Sequence, residues 1–479
     1  MDRVLLQFFE WYLPEDAAHW KRLAECAPAL KKAGFTDIWM PPAYKGANGK
    51  ADVGYGVYDL YDLGEFDQKG TVATKYGTRE EYLAAIAALH AAGLRAVGDI
   101  VLNHKMGADG CENLKAEAVA ADDREREIGE SEISAWTVFN FPGRKQKYSS
   151  FCWNHTHFDG VDWDDRRKRH EIFLLDGKNW DGEVDGENGN YDYLMGADLD
   201  MGNPEVVEEL DRWGEWYVET AALDGLRLDA VKHISFDFFT GWLSRLREKT
   251  GKELWAVGEY WSPDLKLLLH YQEKSGKVMS LFDVPLHFHF MQASSSNGTF
   301  DMSRIFENTL TAVQPECAVT FVDNHDTQPG QALQSFVQPW FKPHAYAMIL
   351  LRQAGTPCVF YGDYYGIPHD NIPSQRPVLD VLLGLRQKLL GAGQEDYLDD
   401  ASVIGWVRRD ERDLSRCCAV ILTDSCGGRK RMQVGAAYAG KNFRDALGKR
   451  SDAVCIGSDG WGEFPVDGGA VSVWVPVLE

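Results

Sequence analysis

The chain has 479 residues, 44% of them hydrophobic and 26% charged, which suits a globular protein of two to three domains at about 150 residues each. A net charge of −23 excludes nucleic acid and anionic membranes as partners, because both need Lys/Arg patches. No apolar run approaches the roughly 18 residues of a membrane span.

Met1-Asp2-Arg3 leads directly into an apolar run at 4–9. That run is too short for a signal-peptide core, so no signal peptide is expected. The nine cysteines are odd in number and scattered from Cys26 to Cys455 without metal-finger spacing. Both features point to a reducing, cytoplasmic location. Residues 4–9 read as a strand. Residues 16–32 read as a helix with Trp20, Leu23, Ala27 and Leu30 on one face, stopped by Gly34. A strand at 36–40, a helix at 79–92 and a strand at 94–102 follow. Further strands are predicted at 225–229, 254–259, 278–282, 318–322 and 357–361. Eight strands alternating with helices predict an α/β fold, a (β/α)8 TIM barrel.

Between 105 and 203 this rhythm breaks. A stretch of about 100 residues without structure of its own is implausible, so it reads as an inserted small β-rich domain after the third strand. Short β-rich runs at 403–408, 418–423, 431–437 and 470–475, with alternating Val471, Val473 and Val475, predict a C-terminal antiparallel β-sandwich. The expected division is 1–104 and 204–394 for the barrel, 105–203 for the insertion and 395–479 for the C-terminal domain.

Three acids stand at or just past strand ends: Asp229, Glu259 and Asp326. In a barrel that is where substrate sits. Period-two alternation puts Arg227 on the same side as Asp229, where it would hold the carboxylate ionised. Tyr260 and Trp261 beside Glu259 would desolvate it and raise its pKa. Two carboxylates in unlike environments are what glycoside hydrolysis requires. Each acid alone could equally be a loop acid or an ion-pair member; three on different strands of one barrel favour chemistry.

Four segments occur in order: Asp99-Ile100-Val101-Leu102-Asn103-His104, Gly225-Leu226-Arg227-Leu228-Asp229-Ala230-Val231-Lys232-His233, Val257-Gly258-Glu259-Tyr260 and Phe321-Val322-Asp323-Asn324-His325-Asp326. With Met195-Gly196-Ala197-Asp198-Leu199-Asp200, they resemble the signature segments of the α-amylase family of glycoside hydrolases, family 13, particularly its bacterial liquefying-type members. The resemblance covers nearly the whole chain. It implies retaining endo-hydrolysis of α-1,4-linked glucans such as starch, glycogen or maltodextrins. It implies Asp229 as nucleophile, Glu259 as acid/base and Asp326 as transition-state stabiliser. Arg227, His104 and His325 would hold the sugar in the cleavage subsite and Tyr55 would stack on it. Lys232 and His233 would lie on the leaving-group side, and Trp261 offers a further sugar platform.

Residues 159–200 hold ten Asp, three Glu and five Lys/Arg, a net of −8 in 42 residues, interleaved with Gly and Asn. Such oxygen-rich turns suit Ca²⁺, although a solvated acidic loop has the same composition. The resemblance implies a structural calcium held by Asn103, Asp192, Asp198 and the His233 backbone. It also implies that Asp159, Asp181 and Asp200 extend the site into a calcium–sodium–calcium cluster. A further calcium site before the C-terminal domain is in doubt because Ala401 and Ser402 stand in place of the family's His-Asp pair. Gly196, where relatives carry an aromatic, would open one edge of the cleft. The expected partner is an α-glucan, and the chain is expected to be a monomer. The rival readings are a maltooligosaccharide-forming enzyme, a transglycosylase, a carbohydrate-binding protein on an inactive barrel, and a catalytic metal hydrolase.

Overall fold

The computed structural model describes residues 3–478; Met1 and Asp2, on which the reading of the N-terminus partly rests, lie outside the described residues. Eight short parallel strands close into a barrel in chain order: β1 (Leu5–Gln7), β2 (Asp37–Trp39), β3 (Arg95–Ile100), β4 (Gly225–Leu228), β5 (Trp255–Gly258), β6 (Ser280–Phe282), β7 (Ala318–Phe321) and β8 (Thr356–Phe360). Each falls within a predicted strand or one residue from its edge. The strands are buried on both faces, so they read as continuous apolar runs rather than alternating ones.

The helices follow local chemistry. Thr78 and Glu81 form a reciprocal capping box at the start of helix α1 (Arg79–Ala91). Asn203 caps helix α2 (Pro204–Ala221), with Pro204 at its first turn. The first helix of the chain begins at His19 rather than at residue 16. Asp16 instead accepts from the backbone N–H of Ala18 at 3.1 Å, so its side chain serves the preceding turn.

The long excursion after β3 forms a six-stranded antiparallel sheet whose first strand is His104–Lys105 and last Ala197–Leu199. Its largest part is a hairpin, Gly110–Ala120 against Asp123–Val138. The His104–Lys105 strand pairs with Ala197–Leu199, so the excursion starts and ends beside the end of β3. Gly393–Tyr397, Val403–Arg409, Cys417–Thr423, Val471–Pro476, Asn442–Asp445 and Ala453–Cys455 form a second six-stranded sheet. A two-stranded sheet, Gly428–Gln433 with Trp461–Val466, packs on it through Ile421, Met432, Phe464 and Val466. The run predicted as a strand at 431–437 therefore ends at Gln433; Gly435 takes φ 110° and the chain turns into a short 3₁₀ segment.

All nine cysteines are free thiols. Among the described residues no helix is long and apolar enough to cross a membrane.

Candidate active site and acidic cluster

Strand order brings the predicted acids together at one end of the barrel. Asp229 and Glu259 follow β4 and β5 directly and are each 7% exposed. Their backbones continue the barrel ladder: the N–H of Asp229 donates to Ile100 O and that of Glu259 to Leu228 O, both at 2.9 Å. Asp326 lies beyond β7 in a tight turn, where its N–H donates to Asn324 Oδ1 at 2.8 Å.

Arg227 organises the group. It is fully buried in β4. Its Nη1 lies 2.6 Å from Asp229 Oδ1 and 3.0 Å from Asp99 Oδ1, and its Nη2 lies 2.6 Å from Glu259 Oε2. Asp99 is itself bonded by Trp39 Nε1 and the Tyr55 hydroxyl, each at 2.9 Å. One guanidinium thus serves three carboxylates, with Asp326 close enough to add its own field. One cation cannot neutralise them all. Burial, then Glu259 and Asp99, push the Asp229 carboxyl up to about 7, against the pull of Arg227. Burial and Glu259 likewise raise Asp326 well above its ordinary value.

This corrects two expectations. Arg227 does not keep Asp229 at the ordinary carboxylate range, because desolvation outweighs a cation shared three ways. The aromatic neighbours of Glu259 do not enclose it either. The Tyr260 hydroxyl donates to Asp185 and its ring packs on Phe236 and Tyr271. Trp261 is half-buried against His287, Phe288 and Phe321. Glu259 faces Arg227 instead, and its Oε1 is buried without a hydrogen-bond partner.

The predicted sugar-holding residues surround this centre. Burial and Arg227 lower the pKa of His325 well below the ordinary value, so its ring is neutral. Gln7 Nε2 donates to its Nδ1 at 2.9 Å, which leaves the proton on Nε2, 3.2 Å from Asp326 Oδ2. His104 is neutral too, lowered to about 4 by burial, with Nε2 2.9 Å from the Tyr55 carbonyl. Tyr55 stacks on His325 with centroids 4.9 Å apart. Lys232 donates to Glu187 Oε2 at 2.7 Å and to the Trp261 carbonyl at 3.2 Å. His233 contacts the Tyr191 carbonyl at 2.7 Å.

Three participants were not predicted. Trp11 is parallel to both Tyr55 and His325, at 6.2 and 6.1 Å, and extends that aromatic face. The signal available was an aromatic run just past the first strand. Asp99 is an acid inside an apolar strand, a pattern rarely tolerated without a partner. Glu187, the partner of Lys232, sits in an acid-rich loop and carries no distinguishing signal.

The acidic stretch converges as well. One oxygen each from Asp159, Asp181 and Asp192 lie within 4.8 Å of one another. Buried Asp198 meets Asn103, whose Nδ2 is 3.1 Å from Asp198 Oδ1 and 3.4 Å from the His233 carbonyl. Asp159 Oδ2, Asp181 Oδ2 and Asp198 Oδ2 are buried with no hydrogen-bond partner. Burial and mutual repulsion push Asp159 up to about 9 and raise Asp192 and Asp198 well above the carboxylate range. Unpaired anionic oxygens converging in a low-dielectric site fit a hard cation. Asp200 is ion-paired with Lys178. Farther off, Asp424 has both oxygens buried and unpaired, but Ala401 and Ser402 add no carboxylate there.

Gly196 takes φ +67°, and a Cβ there would come within 2.8 Å of the Lys105 carbonyl. It lines a surface cavity of about 380 Å³ with Lys69, Met106, Trp136, Asp162 and Trp163.

A barrel with paired carboxylates at its strand ends defines a hydrolase of the glycosidase class. The α-amylase catalytic-domain family model matches residues 19–433, and the α-amylase C-terminal model matches 419–475. An α-amylase of Geobacillus stearothermophilus is 58% identical over 99% of this chain and 87% of its own length. A glucan 1,4-α-maltohexaosidase of Bacillus sp. strain 707 is 52% identical, covering 98% and 92%. A cytoplasmic α-amylase of Escherichia coli K12 is 42% identical, covering 98% of each. The chain belongs to the α-amylase family and is a glycoside hydrolase of the α-amylase type.

Proposed function

We propose that the chain hydrolyses internal α-1,4-glucosidic bonds with retention of configuration. Asp229 attacks the anomeric carbon while Glu259 protonates the departing oxygen; Glu259 then takes a proton from the water that releases the glycosyl-enzyme. Asp326, joined to the His325 edge, stabilises the oxocarbenium-like charge. The observation that carries this reading is the Arg227 bridge. It holds Asp229 and Glu259, which end adjacent strands, on one guanidinium, so that a nucleophile and a proton donor can reach one glycosidic bond. Tyr55, His104, Trp11 and His325 hold the sugar at the cleavage point, and Lys232, His233 and Trp261 meet the leaving-group side.

The substrate is proposed to be starch, glycogen or maltodextrin, and the working form a monomer. The nine free thiols and the cytoplasmic E. coli relative support a cytoplasmic location. The proposed domain limits stay at 104, 203 and 394, although the C-terminal sheet itself starts with Gly393. Digestion of amylose tests the endo reading. A fast loss of iodine colour with mixed short products is expected. A single product length favours the maltohexaosidase-like alternative, and lengthened chains a transglycosylase.

The pH profile gives a second test. A carboxyl raised to about 7 loses its charge as pH falls through that value. The acidic limb of kcat/KM is therefore expected near 7 rather than near 4, and Arg227→Met should shift it higher still. The same shift has a stability sign. The native state keeps a proton that the unfolded chain releases between about 4 and 7, so this group's contribution falls as pH rises across that window.

For the acidic cluster we propose structural calcium, held by Asn103, Asp192, Asp198 and the His233 carbonyl, with Asp159, Asp181 and Asp200 extending the site and Na⁺ as a monovalent companion. Calcium would neutralise the buried carboxylates and tie the insertion to the barrel. Chelation is expected to lower Tm by about 5 °C or more before it lowers kcat of the still-folded enzyme. Loss of chemistry at unchanged Tm would favour a catalytic metal instead.

A further inference from the structure

Strands β1 and β7 are not neighbours in the barrel, because β8 lies between them. The segments that leave them nevertheless meet, joined by side chains. Gln328, two residues past Asp326, is fully buried, and Glu10, three residues past β1, is nearly so. Gln328 Oε1 accepts from the backbone N–H of Trp11 at 3.0 Å, and its Nε2 donates to Glu10 Oε2 at 3.1 Å. The same Glu10 oxygen accepts from the Tyr12 N–H at 2.7 Å. The Tyr12 hydroxyl adds a second tie by donating to the Pro329 carbonyl at 2.9 Å.

Both sides of this junction carry residues of the cleavage site. On one, the Trp11 ring lies parallel to Tyr55 and His325. On the other, Asn324 Oδ1 accepts from the N–H groups of Asp326 and Thr327, at 2.8 and 2.9 Å, and so fixes the turn that holds Asp326. Gln328 follows that turn directly. Its amide therefore joins the backbone of the aromatic face to the backbone of the stabilising acid. The pairing has a direction. The Trp11 N–H needs an acceptor and the Glu10 carboxylate needs a donor, and one amide supplies both. A carboxylate at 328 would still serve Trp11 but would face Glu10 with a second buried acid.

We propose that Gln328 and Glu10 form a positioning pair that registers Trp11 against the Asp326 turn, so that aromatic face and stabilising carboxylate meet the same sugar. This rests on the sugar-holding role proposed above for Trp11. The test is steady-state kinetics on a defined maltooligosaccharide, with Tm measured alongside. The variants are Gln328→Glu, the swap that combines it with Glu10→Gln, Trp11→Ala, and Trp11→Ala with Gln328→Glu. Gln328→Glu is expected to lower kcat/KM about 10- to 10²-fold, the scale of a small misplacement, largely as a higher KM, the mark of lost sugar binding. The swap restores the donor and acceptor in reverse and should recover most of the loss. In the Trp11→Ala background, Gln328→Glu should cost little more, because its effect passes through Trp11. Unchanged kcat/KM in Trp11→Ala overturns the sugar-holding role of Trp11 and the pair's role with it. A loss in Trp11→Ala beside normal kinetics in Gln328→Glu overturns the pair's role alone, as does a swap without recovery or a fully additive double variant. If Gln328→Glu does not fold, Gln328→Met, which removes both hydrogen bonds, takes its place in the Trp11 comparison.

Discussion

Glu259→Gln is expected to lower kcat on starch by about 10²–10⁴-fold, the scale of a positioned general acid–base, while leaving the protein folded. Gln keeps an oxygen for Arg227, whose Nη2 lies 2.6 Å from Glu259 Oε2. It removes one negative charge from a cluster in which Asp99, Asp229 and Glu259 share a single guanidinium. The variant should therefore melt at or above the wild-type temperature. Glu259 is also one of the groups that raise Asp229, so the Asp229 carboxyl should titrate lower in the variant. Differential scanning calorimetry and reducing-sugar release separate the two effects. Full activity in a folded Gln variant would remove Glu259 from the chemistry.

Asp229→Ala is expected to cost more, on the order of 10⁴–10⁶-fold in kcat, because no covalent intermediate can then form. Asp229 is almost wholly buried and bonded to Arg227 at 2.6 Å. Truncation leaves that Nη1 with Asp99 alone and opens a small space at the strand end. An added small anion such as azide can enter that space and attack the sugar directly. The product should then carry the inverted configuration. Rescue with retained configuration would place the nucleophile elsewhere.

The barrel was legible because its strands are largely buried and mainly apolar, with helical patterns between them. The insertion was legible only as an interruption. Its main hairpin strand, Asp123–Val138, is Asp-Arg-Glu-Arg-Glu over its first five residues. Much of that strand is exposed, so no buried face imposes alternation on it. Strands Asn442–Asp445 and Ala453–Cys455 were missed because three or four residues carry too few alternations to register. In the site, acids at strand ends were legible by position alone. Their electrostatics were not. How one guanidinium is divided among Asp99, Asp229 and Glu259 depends on three strands meeting in space; an acid within an apolar strand marks Asp99 as paired but does not name its partner. The orientation of Tyr260 and Trp261 away from Glu259 likewise follows from what packs around them, not from their adjacency in sequence.

The most direct measurement of the central claim is the anomeric form of the first product. A defined maltooligosaccharide is digested with high enzyme, and the fresh reducing end is followed by proton NMR before mutarotation. The α-anomer should appear first and decay toward equilibrium. A fresh β-anomer would mean direct attack by water, and would contradict a covalent role for Asp229.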